Sequence, residues 1–134
     1  MRVFLDTNVI VSALTARGLS ADVFRLVLAE HELLTGEVNL KELRRVLRLK
    51  MRVPARQIDE VENLLREQTV VPVPAKPLDI VLRDPDDTWV LASAVAGSAD
   101  VLVTGDKDLL SLEHSAPLPI LGPRGFWELT RRAR

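Results

Sequence analysis

Four acidic residues have the chemistry and the placement to act together: Asp6, Glu42, Asp87 and Asp106. Two carboxylates about 4 Å apart repel each other by roughly 4 kcal/mol at an effective dielectric constant near 20. A cluster of them therefore needs protonation or a bound divalent cation. The chain has no cysteine, and a ligand set made only of oxygen atoms favours Mg²⁺ or Mn²⁺. The histidines, His31 and His114, lack the spacing of a zinc site, and we interpret them as surface residues.

Whether these acids meet depends on the elements that carry them. Short apolar segments alternate with amphipathic segments, which predicts strands alternating with helices. The predicted strands are 2–5, 32–35, 70–73, 100–104 and 118–121. The predicted helices are 8–16, 20–31, 38–49, 55–68, 86–97 and 123–134, with a helical turn within 105–110. This order is typical of an α/β fold in which helices cover both faces of a mostly parallel sheet. Pro72 in the third strand indicates an edge position.

Two of the acids follow predicted strands. Asp6 comes directly after RVFL, and Asp106 comes after VLVT and one glycine. Parallel sheets bind ligands beyond the carboxyl ends of their strands, so we expect both side chains at that edge. The alternative is helix capping, because Asp is favoured at the N-cap. Capping fits Asp108 before LLSL and Asp86 before the helix that follows it, and it is also the simpler interpretation of Asp6.

Asp87 fits a capping role less well. It shares a helical face with Val90, Leu91 and Ala94, which must pack on the sheet. A carboxylate at the end of such a face needs a partner, because an unpaired buried charge is costly. Asp84, in the preceding DPDD segment, is interpreted as a turn residue.

Glu42 lies on the seam of an amphipathic helix, between an apolar face and a basic one. The apolar face consists of Leu40, Leu43, Val46 and Leu47, and the basic face of Lys41, Arg44, Arg45 and Arg48. The simplest role for Glu42 is an ion pair with Arg45 three residues later, worth about 0.2–0.5 kcal/mol. Glu42 becomes a candidate for the site only when it is considered together with the other three acids.

Composition restricts the class of protein. A chain of 134 residues with 47% apolar and 28% charged residues is expected to form one globular domain, residues 1–134. No apolar run reaches the roughly 20 residues that span a bilayer, and the N-terminus has no signal-peptide pattern. We therefore expect a cytoplasmic protein without a membrane segment.

Charge is unevenly distributed along the chain. The net charge is −1, yet residues 41–56 contain seven basic residues and one acid. The C-terminal RRAR is also basic, whereas acids concentrate in RDPDD and TGDKD. A basic stripe and an acidic cluster on one small domain suit a polyanion held at a metal centre. A solvated helix face with compensating charges elsewhere would produce the same pattern.

Three motifs together resemble the PIN-domain family of metal-dependent ribonucleases. They are LDTNVIVSAL near the N-terminus, ELRRVL in the middle, and DPDDTWVLASAVAGSADVLVTGDKDLL in the second half. The match runs in order from residue 2 to about residue 125. The resemblance implies a three-layer α/β/α sandwich around a central, mostly parallel five-stranded sheet. The chain also resembles the small stand-alone members of the VapC type, which are the toxins of type II toxin–antitoxin pairs.

The resemblance also implies the site. Its acids correspond to Asp6, Glu42, Asp87 and Asp106, with Asp108 as a further candidate. Small polar residues that support the acids correspond to Asn8, Ser12 and Thr104. Many members have a Ser or Thr six residues before the helical Glu, and this chain has Gly36 there, with Thr35 beside it.

The leading hypothesis is an endoribonuclease that uses Mg²⁺ or Mn²⁺. Asp6, Asp87 and Asp106 would hold the ion, and Glu42 would orient the attacking water. Arg44, Arg45 and Arg48 would guide the RNA backbone. The family implies a small antitoxin partner and a homodimer. The main alternative is a catalytically inactive PIN fold that binds RNA or protein. A third interpretation is a receiver-like phosphotransfer domain, which is disfavoured because no acid follows VVPV.

Overall fold

A five-stranded sheet, parallel in every pairing, forms the centre of the computed structural model, which describes residues 1–132. The strand order is β3-β2-β1-β4-β5. The strands are β1 (Arg2–Leu5), β2 (Glu32–Gly36), β3 (Thr69–Val71), β4 (Val101–Val103) and β5 (Ile120–Leu121). The order confirms the predicted α/β class, and the sheet is wholly rather than mostly parallel.

Helices connect the strands, as parallel pairing requires. They are α1 (Thr7–Thr15), α2 (Leu19–Glu30), α3 (Glu37–Leu49), α4 (Ala55–Arg66), α5 (Asp86–Ala96), α6 (Lys107–Leu110) and α7 (Pro123–Arg132), with a 3₁₀ turn at Glu113–Ser115. Among the described residues, no helix is long and apolar enough to cross a membrane.

The two faces of the sheet carry separate apolar cores. Because successive side chains of a strand point to opposite faces, Val3 and Leu5 enter one core and Phe4 enters the other. The first core receives side chains from α1, α2, α3, α4 and α7. The second receives Val90, Leu91 and other side chains of α5, together with Leu109 of α6. The molecule is therefore the three-layer α/β/α sandwich that the sequence predicted.

The register of the central strands determines which residues meet at the carboxyl edge. Leu5 of β1 pairs with Val103 of β4, and the backbone N–H of Asp6 donates to the carbonyl of Val103 at 3.0 Å. Thr104 therefore lies beside Asp6. Because β1 is the central strand, Asp6 lies in the middle of the carboxyl edge, away from the edge strands β3 and β5.

The predicted boundaries agree with the structure to within a few residues. The third strand ends at Val71, one residue before Pro72, and it lies at the edge of the sheet as that proline indicated. The fourth helix ends at Arg66 rather than 68. The final helix is described to Arg132, so the last two residues of the predicted segment 123–134 lie outside the described residues.

Candidate functional site

Asp6 is the centre of the hydrogen-bond network at the carboxyl edge. It lies between β1 and α1 and is only 4% exposed. One carboxylate oxygen, Oδ1, accepts from the Thr7 backbone N–H at 2.8 Å and from Asn39 Nδ2 at 3.1 Å. The other, Oδ2, accepts from Thr104 Oγ1 at 2.7 Å and from Asn8 Nδ2 at 3.2 Å. Four donors thus fix the orientation of a buried carboxylate.

Thr104 and Asn8 connect the residues that follow β1 to the residues that follow β4. The Thr104 hydroxyl donates to Asp6 and accepts from the backbone N–H of Asp106 at 3.0 Å. Asn8 Oδ1 accepts from the Gly105 backbone N–H at 2.9 Å. The resemblance implied supporting roles for Asn8 and Thr104, and the structure places both in contact with Asp6.

Asp106 caps the short helix α6. Its Oδ1 accepts from the backbone N–H groups of Asp108 at 2.8 Å and Leu109 at 3.3 Å. The expectation that Asp108 caps this helix is therefore wrong by two residues. The expectation that Asp86 caps α5 is wrong by one residue, because Pro85 occupies the N-cap position and Asp86 lies in the first turn.

Asp87 brings a carboxylate from the opposite helical layer. It is 9% exposed, and its Oδ2 is buried without a hydrogen-bond partner. Burial is the largest cause that raises the pKa of Asp87, to about 7, and the negative charges of Asp106 and Asp6 raise it further. The prediction that its helical face packs on the sheet is confirmed by the burial of Val90, Leu91 and Ala94.

Asp6 is held in a balance of opposing effects. Burial raises its pKa, and the charge of Asp106 acts in the same direction, while hydrogen bonds from Thr104, Thr7 and Asn8 lower it. Since the donors stabilise the charged form, they offset part of the cost of burying it.

Glu42 approaches the site from α3. Its residue surface is largely exposed, but partial desolvation of the carboxyl group raises its pKa, as do the charges of Asp6, Asp84 and Asp86. The structure contains no ion pair between Glu42 and Arg45, both of which it describes. Asp84 has the predicted turn role, since its Oδ1 accepts from the Asp86 N–H at 2.9 Å, but its charge also acts on Glu42 and Asp87.

The side chains of the remaining candidates make other contacts. Ser12 is exposed and lines a cavity of about 260 Å³ beside Asp106, together with Asn8 and Ser20. The Asp108 carboxylate lies 3.9 Å from Arg83. Arg44 forms ion pairs with Asp59 and Glu62 of α4, each at 2.9 Å.

Asn39 is the functional candidate that sequence reasoning missed. It lies in the first turn of α3, is 1% exposed and donates to Asp6. The sequence did contain a signal for Asn39, because this polar residue lies with Leu40 and Leu43 on the apolar face of the helix. Polar residues inside an apolar face need partners.

The donor set suits a hard divalent cation. All candidate ligands are carboxylate oxygens, which Mg²⁺ and Mn²⁺ prefer, and the buried Oδ2 of Asp87 has no other partner. Among residues 1–132, no group of three or more Asp, Glu or His is already arranged to hold an ion. Both observations fit an ion such as Mg²⁺, because Mg²⁺ keeps several water ligands and is bound through one or two carboxylates.

Comparison with known families agrees with this geometry. The family profile described as PIN domain matches residues 2–108. The chain belongs to the PIN-domain family. No significant match was found among curated proteins.

Solved structures share the fold of this PIN domain at low sequence identity. VapBC2 from Rickettsia felis, bound to a DNA fragment from its promoter, has a TM-score of 0.63 and 17% identity, covering 91% of this chain and 98% of that one. FitAB bound to the IR36 DNA fragment has a TM-score of 0.66 and 16% identity, covering 90% and 94%. VapBC-1 from nontypeable Haemophilus influenzae has a TM-score of 0.62 and 19% identity, covering 92% and 99%.

The raised pKa of Asp87 predicts that the PIN domain loses stability as pH rises. Between the ordinary carboxyl pKa near 4 and about 7, the folded state retains a proton that the unfolded state releases. The contribution of Asp87 to the free energy of unfolding therefore falls across this range. Urea unfolding in EDTA should show lower stability at pH 8 than at pH 5, and Asp87→Asn should reduce the difference.

Asp79→Asn is the matched control, because Asp79 is exposed in the segment between β3 and α5. It should keep the wild-type pH dependence. An Asp87→Asn variant with the wild-type dependence would contradict the assignment of this proton to Asp87.

Proposed function

We propose that this PIN domain is an endoribonuclease that hydrolyses RNA phosphodiester bonds and depends on Mg²⁺ or Mn²⁺. Asp6, Asp87 and Asp106 would hold the cation, directly or through its water ligands, and Glu42 would orient the attacking water. The observation that carries the proposal is the Asp87 carboxylate, which is buried beside two other acids with one oxygen unpartnered. A buried charge of this kind is costly without a cation or a proton.

Each acid has a distinct part in the proposed chemistry. A bound divalent ion supplies a Lewis acid that lowers the pKa of water and offsets charge developing on the phosphate. Asp6 is rigid, because four donors hold it. Asp87 would act as a ligand in its deprotonated form, as metal binding requires. Glu42 is the most exposed of the four acids, so it can reach water at the opening of the site.

Replacing Asp6 tests the metal role directly. Asp6→Asn keeps the shape but removes the charge, so cleavage of single-stranded RNA in Mn²⁺ should fall by a factor on the order of 10² or more. EDTA should abolish cleavage by the wild type. A DNA strand of the same sequence, run in parallel, tests the restriction to RNA.

Asp22→Asn is the control, since Asp22 lies on α2 in a surface pair with Arg25. Cleavage that survives Asp6→Asn would refute the proposed metal role. RNA binding without cleavage, indifferent to Mn²⁺ and to Asp6, would favour the inactive binding domain instead.

The RNA backbone is proposed to follow a basic stripe on α3. Lys41, Arg45 and Arg48 are exposed, and their spacing of four and three residues aligns them on one side of the helix. None of them takes part in an ion pair with another described residue. Arg44, which the sequence assigned to the same role, is paired with α4 and is excluded from the stripe.

Removing two charges of the stripe should change the salt dependence of RNA binding. For single strands, log K falls with log salt by about 0.7 per neutralised phosphate, so Arg45→Ala with Arg48→Ala should reduce the slope by about 1.4. Binding is measured in EDTA by fluorescence anisotropy. The control is Arg56→Ala, on α4 and paired with Glu60; an unchanged slope in the double variant would exclude the stripe.

The biological role proposed for this enzyme is that of a toxin neutralised by a small antitoxin. The supporting observation is the shared fold with the toxin–antitoxin assemblies VapBC2, FitAB and VapBC-1. A homodimer and a cytoplasmic location belong to the same proposal.

Expression in a bacterial host tests this role. The wild type should arrest growth, and Asp6→Asn should not. The proposal also predicts that a neighbouring gene encodes a small antitoxin whose co-expression restores growth. Growth that is unaffected by the wild type, despite RNA cleavage in vitro, would separate the nuclease from the toxin role.

A further inference from the structure

Asn39 joins the helix α3 to the carboxylate of Asp6. Its Nδ2 lies 3.1 Å from Asp6 Oδ1 and also 3.1 Å from Thr7 Oγ1. The Thr7 hydroxyl in turn donates to the backbone carbonyl of Asn39 at 3.3 Å. Two residues of the β1–α1 junction are thereby tied to the first turn of the helix that carries Glu42.

The orientation of the Asn39 amide is dictated by Asp6. Its Oδ1 is buried and has no hydrogen-bond partner. Rotating the amide would place that carbonyl oxygen against Asp6 Oδ1, so that two acceptors would face each other. A buried acceptor without a partner destabilises the folded state, and packing alone would favour an apolar residue here. The amide is therefore better explained by what it donates than by how it packs.

Gly36 provides the space that the amide occupies. Its φ of −117° and ψ of 159° are open to any residue, so backbone conformation does not require glycine here. A Cβ at this position would lie 3.1 Å from Asn39 Oδ1 and 3.2 Å from both Cβ and Oγ of Ser93. A side chain at position 36 would press on the Asn39 amide and on α5 simultaneously.

We propose that Asn39 is a positioning residue that holds the Asp6 carboxylate for divalent-cation binding, and that the absence of a side chain at Gly36 is what allows it. The inference rests on the proposed function, because it assumes that Asp6 binds the cation. Residues that hydrogen-bond to a metal ligand orient it, and their loss weakens metal affinity by about 10–100-fold. Asn39 and the Thr7 N–H share one oxygen of Asp6, so either donor alone leaves the carboxylate freer to turn.

The test measures Mn²⁺ binding to the folded protein without RNA, using electron paramagnetic resonance of the free ion. Asn39→Leu preserves most of the side-chain shape and removes both donors. It should weaken Mn²⁺ binding by about 10–100-fold. Asn63→Leu makes the same change at an exposed position of α4 and should bind as the wild type does. Thermal unfolding in EDTA monitors structural damage, and Asn39→Ala replaces Asn39→Leu if the latter does not fold.

The outcomes separate the inference from the proposed function. If the wild type does not bind Mn²⁺, or if Asp6→Asn binds it equally well, the metal site itself is refuted. If Asp6→Asn loses binding while the Asn39 variant binds within about threefold of the wild type, the positioning role is overturned. A purely structural role would lower the unfolding temperature in EDTA and leave the Mn²⁺ affinity of the folded fraction unchanged.

A double-mutant cycle tests the part assigned to Gly36. Gly36→Ala should weaken Mn²⁺ binding when Asn39 is present and should add no further loss in the Asn39→Ala background. Non-additivity of this kind reports a direct interaction between neighbouring residues. Because the contact with Ser93 is present in both backgrounds, it cancels from the cycle. Additive losses would show that position 36 acts independently of Asn39.

Discussion

The repulsion among the carboxylates at the carboxyl edge of the sheet is the constraint on which the rest of the structure depends. The charge of Asp106 raises the pKa of Asp6 and Asp87, and the charge of Asp6 raises the pKa of Asp87 and Glu42. A flexible chain would relieve this repulsion by moving the groups apart. The structure prevents that movement because each acid is attached to an element that is anchored in an apolar core.

Each layer of the sandwich supplies at least one of the four acids. Asp6 and Asp106 come from the ends of the adjacent strands β1 and β4, Glu42 comes from α3 on one face, and Asp87 comes from α5 on the other. The separate apolar cores on the two faces hold the two helices against the sheet. Stability and charge placement are therefore linked, because loosening either core would let an acid withdraw from the others.

Capping and charge clustering are not competing explanations for Asp6 and Asp106. Asp6 accepts from the first N–H of α1, and Asp106 accepts from two N–H groups of α6. Backbone donors at a helix start stabilise a carboxylate, which offsets part of the repulsion from its neighbours. The polar side chains of Asn8, Thr104 and Asn39 add to this effect around Asp6, and all three also connect separate elements of the fold.

Much of this protein followed from local sequence patterns. Apolar periodicity placed the strands and helices to within a few residues, and the alternation of the two predicted the parallel sandwich. Strand ends located Asp6 and Asp106, and the face shared with Val90, Leu91 and Ala94 indicated that Asp87 is buried. These properties depend on residues close together in the chain, where spacing alone determines which side chains share a face or an edge.

Contacts between distant segments were decided only by the tertiary structure. Asn39 was missed because its partners, Asp6 and Thr7, lie more than thirty residues earlier in the chain. The ion pairs of Arg44 are made with α4, which the sequence did not connect with it, and the choice of Asp106 over Asp108 as helix cap required backbone geometry. The sequence by itself determined the fold and which acids could meet. The register of β1 on β4 and the packing of α3 and α5 decided how those acids are held, because hydrogen bonds and charge interactions depend on distances that sequence spacing does not encode.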